Sequence, residues 1–145
     1  MKPWIWIRVA AVFDGLFTAG HTLGHFSSSD SGPEEKAVTD AMKNFHFEIM
    51  GSTRTIWGFF RGFSLLLCIN LLILTVVLWL LGSVARSSPA QARLMVWALL
   101  AGQTMITVLC WTDFFLAPAI LSTLAAVALL VAVVGLQSAF RNLSA

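Results

Sequence analysis

The chain has 145 residues, 58% of them hydrophobic and 11% charged, and a formal net charge of +2. Soluble domains carry about a quarter of their residues as charges, so this composition, with a mean hydropathy of +0.84, excludes a soluble globular protein and implies a single-domain integral membrane protein. The small net charge leaves no footprint for a nucleic acid. Cys68 and Cys110 each sit inside an apolar stretch and form no C-x-x-C motif for a thiol redox centre or a zinc knuckle.

Taken in order, four stretches approach the roughly 20 residues that a bilayer core requires, which predicts an all-α bundle of four transmembrane helices. The first covers about residues 4–26. It follows Lys2, as a signal peptide would, but it is too long for a signal h-region and contains Asp14, so it reads as a retained span. The second covers about 56–81, the third 94–115 and the fourth 118–140. Pro118 suits a first helical position, and the short Phe115–Pro118 connection makes the last two spans an antiparallel hairpin.

Residues 27–55 are the sizeable polar piece. Ser27 to Gly32, including Asp30, reads as a turn, and Pro33 opens a helix whose positive end is favoured by Glu34 and Glu35. Val38, Met42, Phe45 and Ile49 recur at helical spacing, which predicts an amphipathic helix lying at the outer interface. Gly51 ends it, and Ser52 or Thr53 caps the second span.

Lys2, Arg8, Arg86, Arg93 and Arg141 fall on one side without acidic neighbours. Asp30, Glu34, Glu35, Asp40, Glu48 and Asp113 fall on the other, with Lys36, Lys43 and Arg54. The positive-inside rule then places both termini in the cytoplasm.

The first span carries more polarity than crossing a membrane requires. At about 100° per residue, Asp14, Thr18, His21 and His25 share an arc of about 60°. Ionisable groups inside a membrane are expensive and mark function by default. Gln103 matches the depth of Asp14, near the bilayer middle. Arg61 and Cys110 match that of His21, while His25, His46, Glu48 and Asp113 lie at the outer surface. Gly20-x-x-x-Gly24 and Gly58-x-x-x-Gly62 are spaced to let the first two spans approach closely. The aromatic run Trp57 to Phe63 supplies walls for a pocket. The fourth span, with little polarity beyond Ser122, Thr123, Gln137 and Ser138, reads as a lipid-facing wall.

Three functions fit this constellation. The first is binding, or in a stronger form transforming, a small hydrophobic or amphipathic molecule in the outer half of the bundle. Asp14, His21 and His25 would exchange protons there, and Arg61 would hold an anionic group. Glu48, Trp57, Phe60, Gln103 and Asp113 would contact the ligand, a membrane lipid or lipid-soluble compound. The second is a metal or haem site using His21, His25 and His46, with Met42, His46 and Met50 on one helix face suiting copper. The third is an assembly subunit or scaffold, in a homo-oligomer or with a membrane-complex partner, in which Asp14 and Arg61 form a buried ion pair. Asp14 is deepest and suits a bracing role; His21 and His25 are the sharper candidates. The residues specify neither a cofactor nor a reaction.

The pairs Gly20-His21 and Gly24-His25 late in the first span, in a short four-span chain with cytoplasmic termini, resemble the small bacterial membrane proteins grouped as DoxX-like. That resemblance implies a bacterial inner membrane.

Overall fold

Five helices and one β-hairpin make up the computed structural model, which describes residues 2–27 and 32–141, except the side chains of 139–141. In chain order they are α1 Pro3–Ser27, α2 Pro33–Asn44, β1 His46–Ile49, β2 Ser52–Thr55, α3 Ile56–Ser87, α4 Pro89–Asp113 and α5 Leu116–Arg141. The turn at 28–31, with Asp30, and the side chain of Arg141 lie outside the described residues.

Three helical segments are long and apolar enough to cross a membrane, Ile56–Ser87, Pro89–Asp113 and Leu116–Ser138. Their surfaces agree. Leu72, Ile73, Leu80, Leu94, Met105 and Val108 are all more than half exposed, a density of open apolar side chains suited to lipid and not to water. The chain is therefore a helical membrane protein. The 25-residue α1 has the length of a span, but Arg8, Asp14 and the glycine, threonine and histidine of its second half dilute its apolar character. Two boundaries differ from expectation: α3 continues to Ser87, and α4 begins at Pro89. Apolar content ends before the helices do, because polar residues in a terminal turn keep their backbone bonds.

The chain divides into two compact units, Met1–Ala19 with Leu71–Ala145, and Gly20–Asn70. The core of the first is built from Ile7, Ala10 and Ala11 of α1, Leu78 and Leu81 of α3, Ala92 and Val96 of α4, and Ala125, Leu129 and Ala132 of α5, among others. The α4–α5 pair forms the antiparallel hairpin expected from its short connection, since a connection of that length leaves no other arrangement.

The lipid-facing wall expected of the fourth span is not what α5 provides. Half of its membrane segment is buried (50%), against 28% and 22% for α3 and α4. Ala119, Ser122, Ala125, Ala132 and Val133 recur along one side at helical spacing and are all at most 1% exposed. In lipid, close van der Waals packing rather than polarity selects the buried face, and small residues supply it.

The Gly20–Asn70 unit corrects the sequence reading most. The helix expected to run through Ile49 stops at Asn44, and Phe45 turns extended (φ −78°, ψ 111°) while its N–H still bonds the Ala41 carbonyl at 3.0 Å. β1 and β2 then pair antiparallel, with His46 opposite Thr55, Glu48 opposite Thr53 and Ile49 opposite Ser52. Met50 and Gly51 close the turn with φ of 50° and 75°, the pair of positive angles that a two-residue hairpin demands. Phe45, Phe47 and Ile49 satisfy an alternating pattern as well as a helical one, and the β-branched Thr53 and Thr55 decide for the strand. Thr55, not Ser52 or Thr53, caps α3, accepting the Gly58 N–H at 3.0 Å. On α2, Lys36 pairs with Asp40 at 2.7 Å across one turn and holds that carboxyl below the usual carboxylate range.

The glycine pairs are not helix-contact points. A Cβ placed at Gly20, Gly24 or Gly62 meets nothing within 4 Å, and at Gly58 it meets only the capping Thr55 hydroxyl at 3.2 Å. Gly20→Ala and Gly24→Ala should therefore leave thermal stability unchanged or raise it slightly, by up to about 1 kcal/mol of helix propensity. Destabilisation of both variants on unfolding in detergent would show that these glycines do pack.

Candidate functional site

The polar residues that the sequence places in one constellation fall into two groups, one in each unit.

The first group is a buried chain of hydrogen-bonding side chains. Asp14 on α1 is 1% exposed and Gln103 on α4 is 2% exposed, and the Gln103 side chain lies within hydrogen-bonding reach of the Asp14 carboxyl. Gln103 Nε2 also donates to the Ser122 carbonyl of α5 at 3.3 Å, and the Ser122 hydroxyl donates to the Ala119 carbonyl of its own helix at 3.1 Å. One turn along α1, Thr18 Oγ1 donates to the Asp14 carbonyl at 2.7 Å and meets Thr75 Oγ1 of α3 at 3.1 Å. Four helices are thus tied at one level. Among the described residues, Asp14 Oδ2 and Gln103 Oε1 are buried without a partner. Asp14 makes no ion pair among the described residues of its own unit.

The second group surrounds Ser64 of α3. His21 Nε2 lies 3.2 Å from the Ser64 carbonyl oxygen. A carbonyl only accepts, so Nε2 carries the proton and Nδ1 of His21 is left as the acceptor. His25 Nδ1 lies 2.8 Å from Ser64 Oγ, and His21 Nε2 is 3.4 Å from the same hydroxyl. In the His25 tautomer that carries its proton on Nε2, Nδ1 accepts from the Ser64 hydroxyl. His21, His25 and Ser64 are all partly buried. One turn before Ser64 on the same side of α3, Arg61 is exposed and makes no hydrogen bond or ion pair among the described residues. The histidine spacing gave this site away. Ser64 was missed, because a lone serine in an apolar helix more often bonds its own backbone.

The remaining candidates are more scattered. Phe45, Phe47, Phe59 and Phe63 form a ladder with ring centroids 5.4 to 6.5 Å apart. Trp57 stacks on Phe60 at 5.7 Å and receives the Lys43 ammonium at 5.2 Å. Arg54, Gly58, Phe59, Gly62, Phe63 and Leu66 line a shallow, mostly apolar groove of about 350 Å³. Gly58, Gly62 and Leu66 lie on the side of α3 away from Ser64, so Phe59 and Phe63 wall this groove and not the histidine cluster. Glu48 is exposed on the hairpin, and Asp113 is exposed with Thr112 Oγ1 donating to its Oδ2 at 2.6 Å.

No family model, curated protein or solved structure matches the chain.

The metal reading loses its ligand set. Among the described residues no three His, Cys, Asp or Glu side chains gather as a metal ion requires. His46 sits on β1, with its Nδ1 donating to the Asn44 carbonyl at 2.8 Å, and is not assembled with His21 and His25. The end of α2 at Asn44 also breaks the single face on which Met42, His46 and Met50 were expected; Met50 stands fully exposed at the hairpin tip.

Proposed function

We propose that the protein is a four-span membrane protein, with α1 as its first span and both termini cytoplasmic, that binds a small amphipathic molecule at the His21–Ser64–His25 cluster. The observation that carries this reading is the Ser64 hydroxyl contacted by two imidazoles, partly buried, with a guanidinium one turn away that has no partner among the described residues. An apolar helix has no structural need for two histidines and a serine in one cluster, and burying polar groups is unfavourable unless they are used. His21 Nδ1, the second lone pair of Ser64 Oγ and the Arg61 fork offer hydrogen bonds to a carbonyl, hydroxyl or carboxylate head group, and the apolar flanks of α1 and α3 suit its tail. In the stronger form, His25 takes the Ser64 proton as a general base and the hydroxyl attacks an ester carbonyl. The bond from the acyl carbon to the alcohol oxygen breaks, His25 returns the proton to the departing alcohol, and water then hydrolyses the Ser64 ester.

The topology rests on the arginines: Arg8, Arg86 and Arg93 lie at the cytoplasmic ends, and the acidic residues of α2, β1 and the α4 terminus lie outside. By its resemblance to DoxX-like proteins, the membrane is a bacterial inner membrane. The segment of α2 with the hairpin lies at the outer interface, where the aromatic ladder Phe45–Phe63 is at home.

Mass spectrometry of lipids and small molecules that co-purify with the protein tests the binding. One enriched species is expected with the natural chain, and Ser64→Ala and His25→Ala should lower its retention about tenfold, the worth of one hydrogen bond of roughly 1.4 kcal/mol. His21→Ala should leave folding intact. Retention by Ser64→Ala and His25→Ala equal to that of the natural chain, or no enriched species at all, would sink the reading.

A further inference from the structure

The unit formed by Met1–Ala19 and Leu71–Ala145 holds a second, separate set of charges. The Arg8 side chain is laid across α3, with its guanidinium 5.3 Å from the Trp4 ring centroid and 5.0 Å from that of Trp79. Arg8 Nη2 donates to Ser83 Oγ at 3.1 Å. Gly82 makes the room for this. A Cβ there would come within 2.8 Å of Arg8 Cγ and 3.4 Å of the Trp4 carbonyl oxygen. The guanidinium of Arg86 sits over the same Trp4 ring, also at 5.3 Å.

Two positive groups thus share one indole, and neither has an acidic partner among the described residues. Arg8 Nε is buried without an acceptor, the remaining Nη hydrogens of Arg8 find none, and Arg86 makes no hydrogen bond in the described chain. An arginine that merely reaches for the lipid–water boundary keeps its head free in water. Arg8 is instead fixed by a glycine groove, a serine and two aromatic faces, so little conformational freedom is left to lose on binding. Its planar fork matches the oxygens of a phosphate, and the ring stacks hold the plane of that fork. Basic pockets between membrane helices are the usual seat of phosphate head groups.

We propose that Arg8 and Arg86, held on Trp4, form a binding site for a phosphate group, supplied by an anionic phospholipid or by free phosphate. The site shares no residue with the His21–Ser64–His25 cluster and stands whether or not that cluster binds a ligand.

The test is thermal unfolding of the full chain in a neutral detergent, with dioleoylphosphatidylglycerol, dioleoylphosphatidylcholine or inorganic phosphate added. Phosphatidylglycerol should raise Tm by roughly 5 °C and phosphatidylcholine should not. The rise should fall by at least half in Arg86→Gln and vanish in the Arg8→Gln, Arg86→Gln double variant. Gly82→Ala, which displaces Arg8 while keeping every charge, should also weaken it, as bulk attraction to a basic surface would not. Arg86→Gln alters an exposed side chain and keeps the test readable should the Arg8 variants fail to fold. A shift with phosphatidylglycerol alone identifies the lipid as the source, and an equal shift with inorganic phosphate identifies the free anion. Equal shifts with both lipids and none with phosphate overturn the site, as does a phosphatidylglycerol shift that survives in Arg86→Gln and Gly82→Ala unchanged.

Discussion

Asp14→Asn should leave the protein as stable as the natural chain or more so, whereas Gln103→Leu should destabilise it by about 1–3 kcal/mol. Asp14 Oδ2 and Gln103 Oε1 are both buried acceptors without a donor. The amide that Asp14→Asn introduces adds donors beside these acceptors, keeps the shape of the side chain and removes the need to bury a carboxylate that has no ion pair among the described residues. Gln103→Leu does the reverse. It removes the Gln103 side chain beside the Asp14 carboxyl and also leaves the Ser122 carbonyl without its extra donor. Asp14→Leu is a third point, expected between the two, because it relieves the orphan oxygen of Asp14 but leaves that of Gln103. Reversible unfolding by a denaturing detergent measures all three. If Asp14→Asn proves as damaging as Gln103→Leu, the charge of Asp14 is itself required, and a role beyond bracing the helices must be sought for it.

The second large effect concerns α5. Ala125→Leu should destabilise by about 1–3 kcal/mol through overpacking, and Leu129→Ala by about 2–5 kcal/mol through the cavity it opens. Both residues are 0% exposed. In lipid the transfer component of Leu129→Ala shrinks, because a leucine is as well accommodated by acyl chains as by protein, so the loss falls toward the low end of that range and reports lost packing contacts. Val127 and Val134, on the open side of the same helix at 50% and 53% exposure, give the control: replacing either with leucine should have no measurable effect. Equal sensitivity on the two sides would restore α5 as a lipid-facing wall and contradict the arrangement of the core.

Much of the site was legible in the residues themselves. The arc of Asp14, Thr18, His21 and His25 stood out because polarity on an apolar helix is unfavourable, and Gln103 was matched to Asp14 by counting residues from the helix ends. Rise per residue is constant in a helix, so depth transfers from sequence to structure with little loss. Ser64 escaped because its role depends on which helix faces it, and no local pattern encodes that.

By itself the sequence determined that this is a helical membrane protein, where three of its helices run, and that the last two form a hairpin. Each of these follows from composition and length, which act locally. The tertiary structure decided the rest. It split the polar constellation into a buried brace at Asp14 and Gln103 and a histidine–serine cluster at Ser64. It turned the end of a predicted helix into a hairpin, where an alternating and a helical pattern coincide over Phe45 to Ile49 and pairing with Thr53 and Thr55 across the Met50-Gly51 turn breaks the tie. It moved the close-approach glycine from Gly20 and Gly24 to Gly82, and it buried the alanine face of α5. Within lipid, apolar side chains gain nothing by transfer from one apolar surface to another, so which face packs is set by fit between neighbours and appears only once the neighbours are in place.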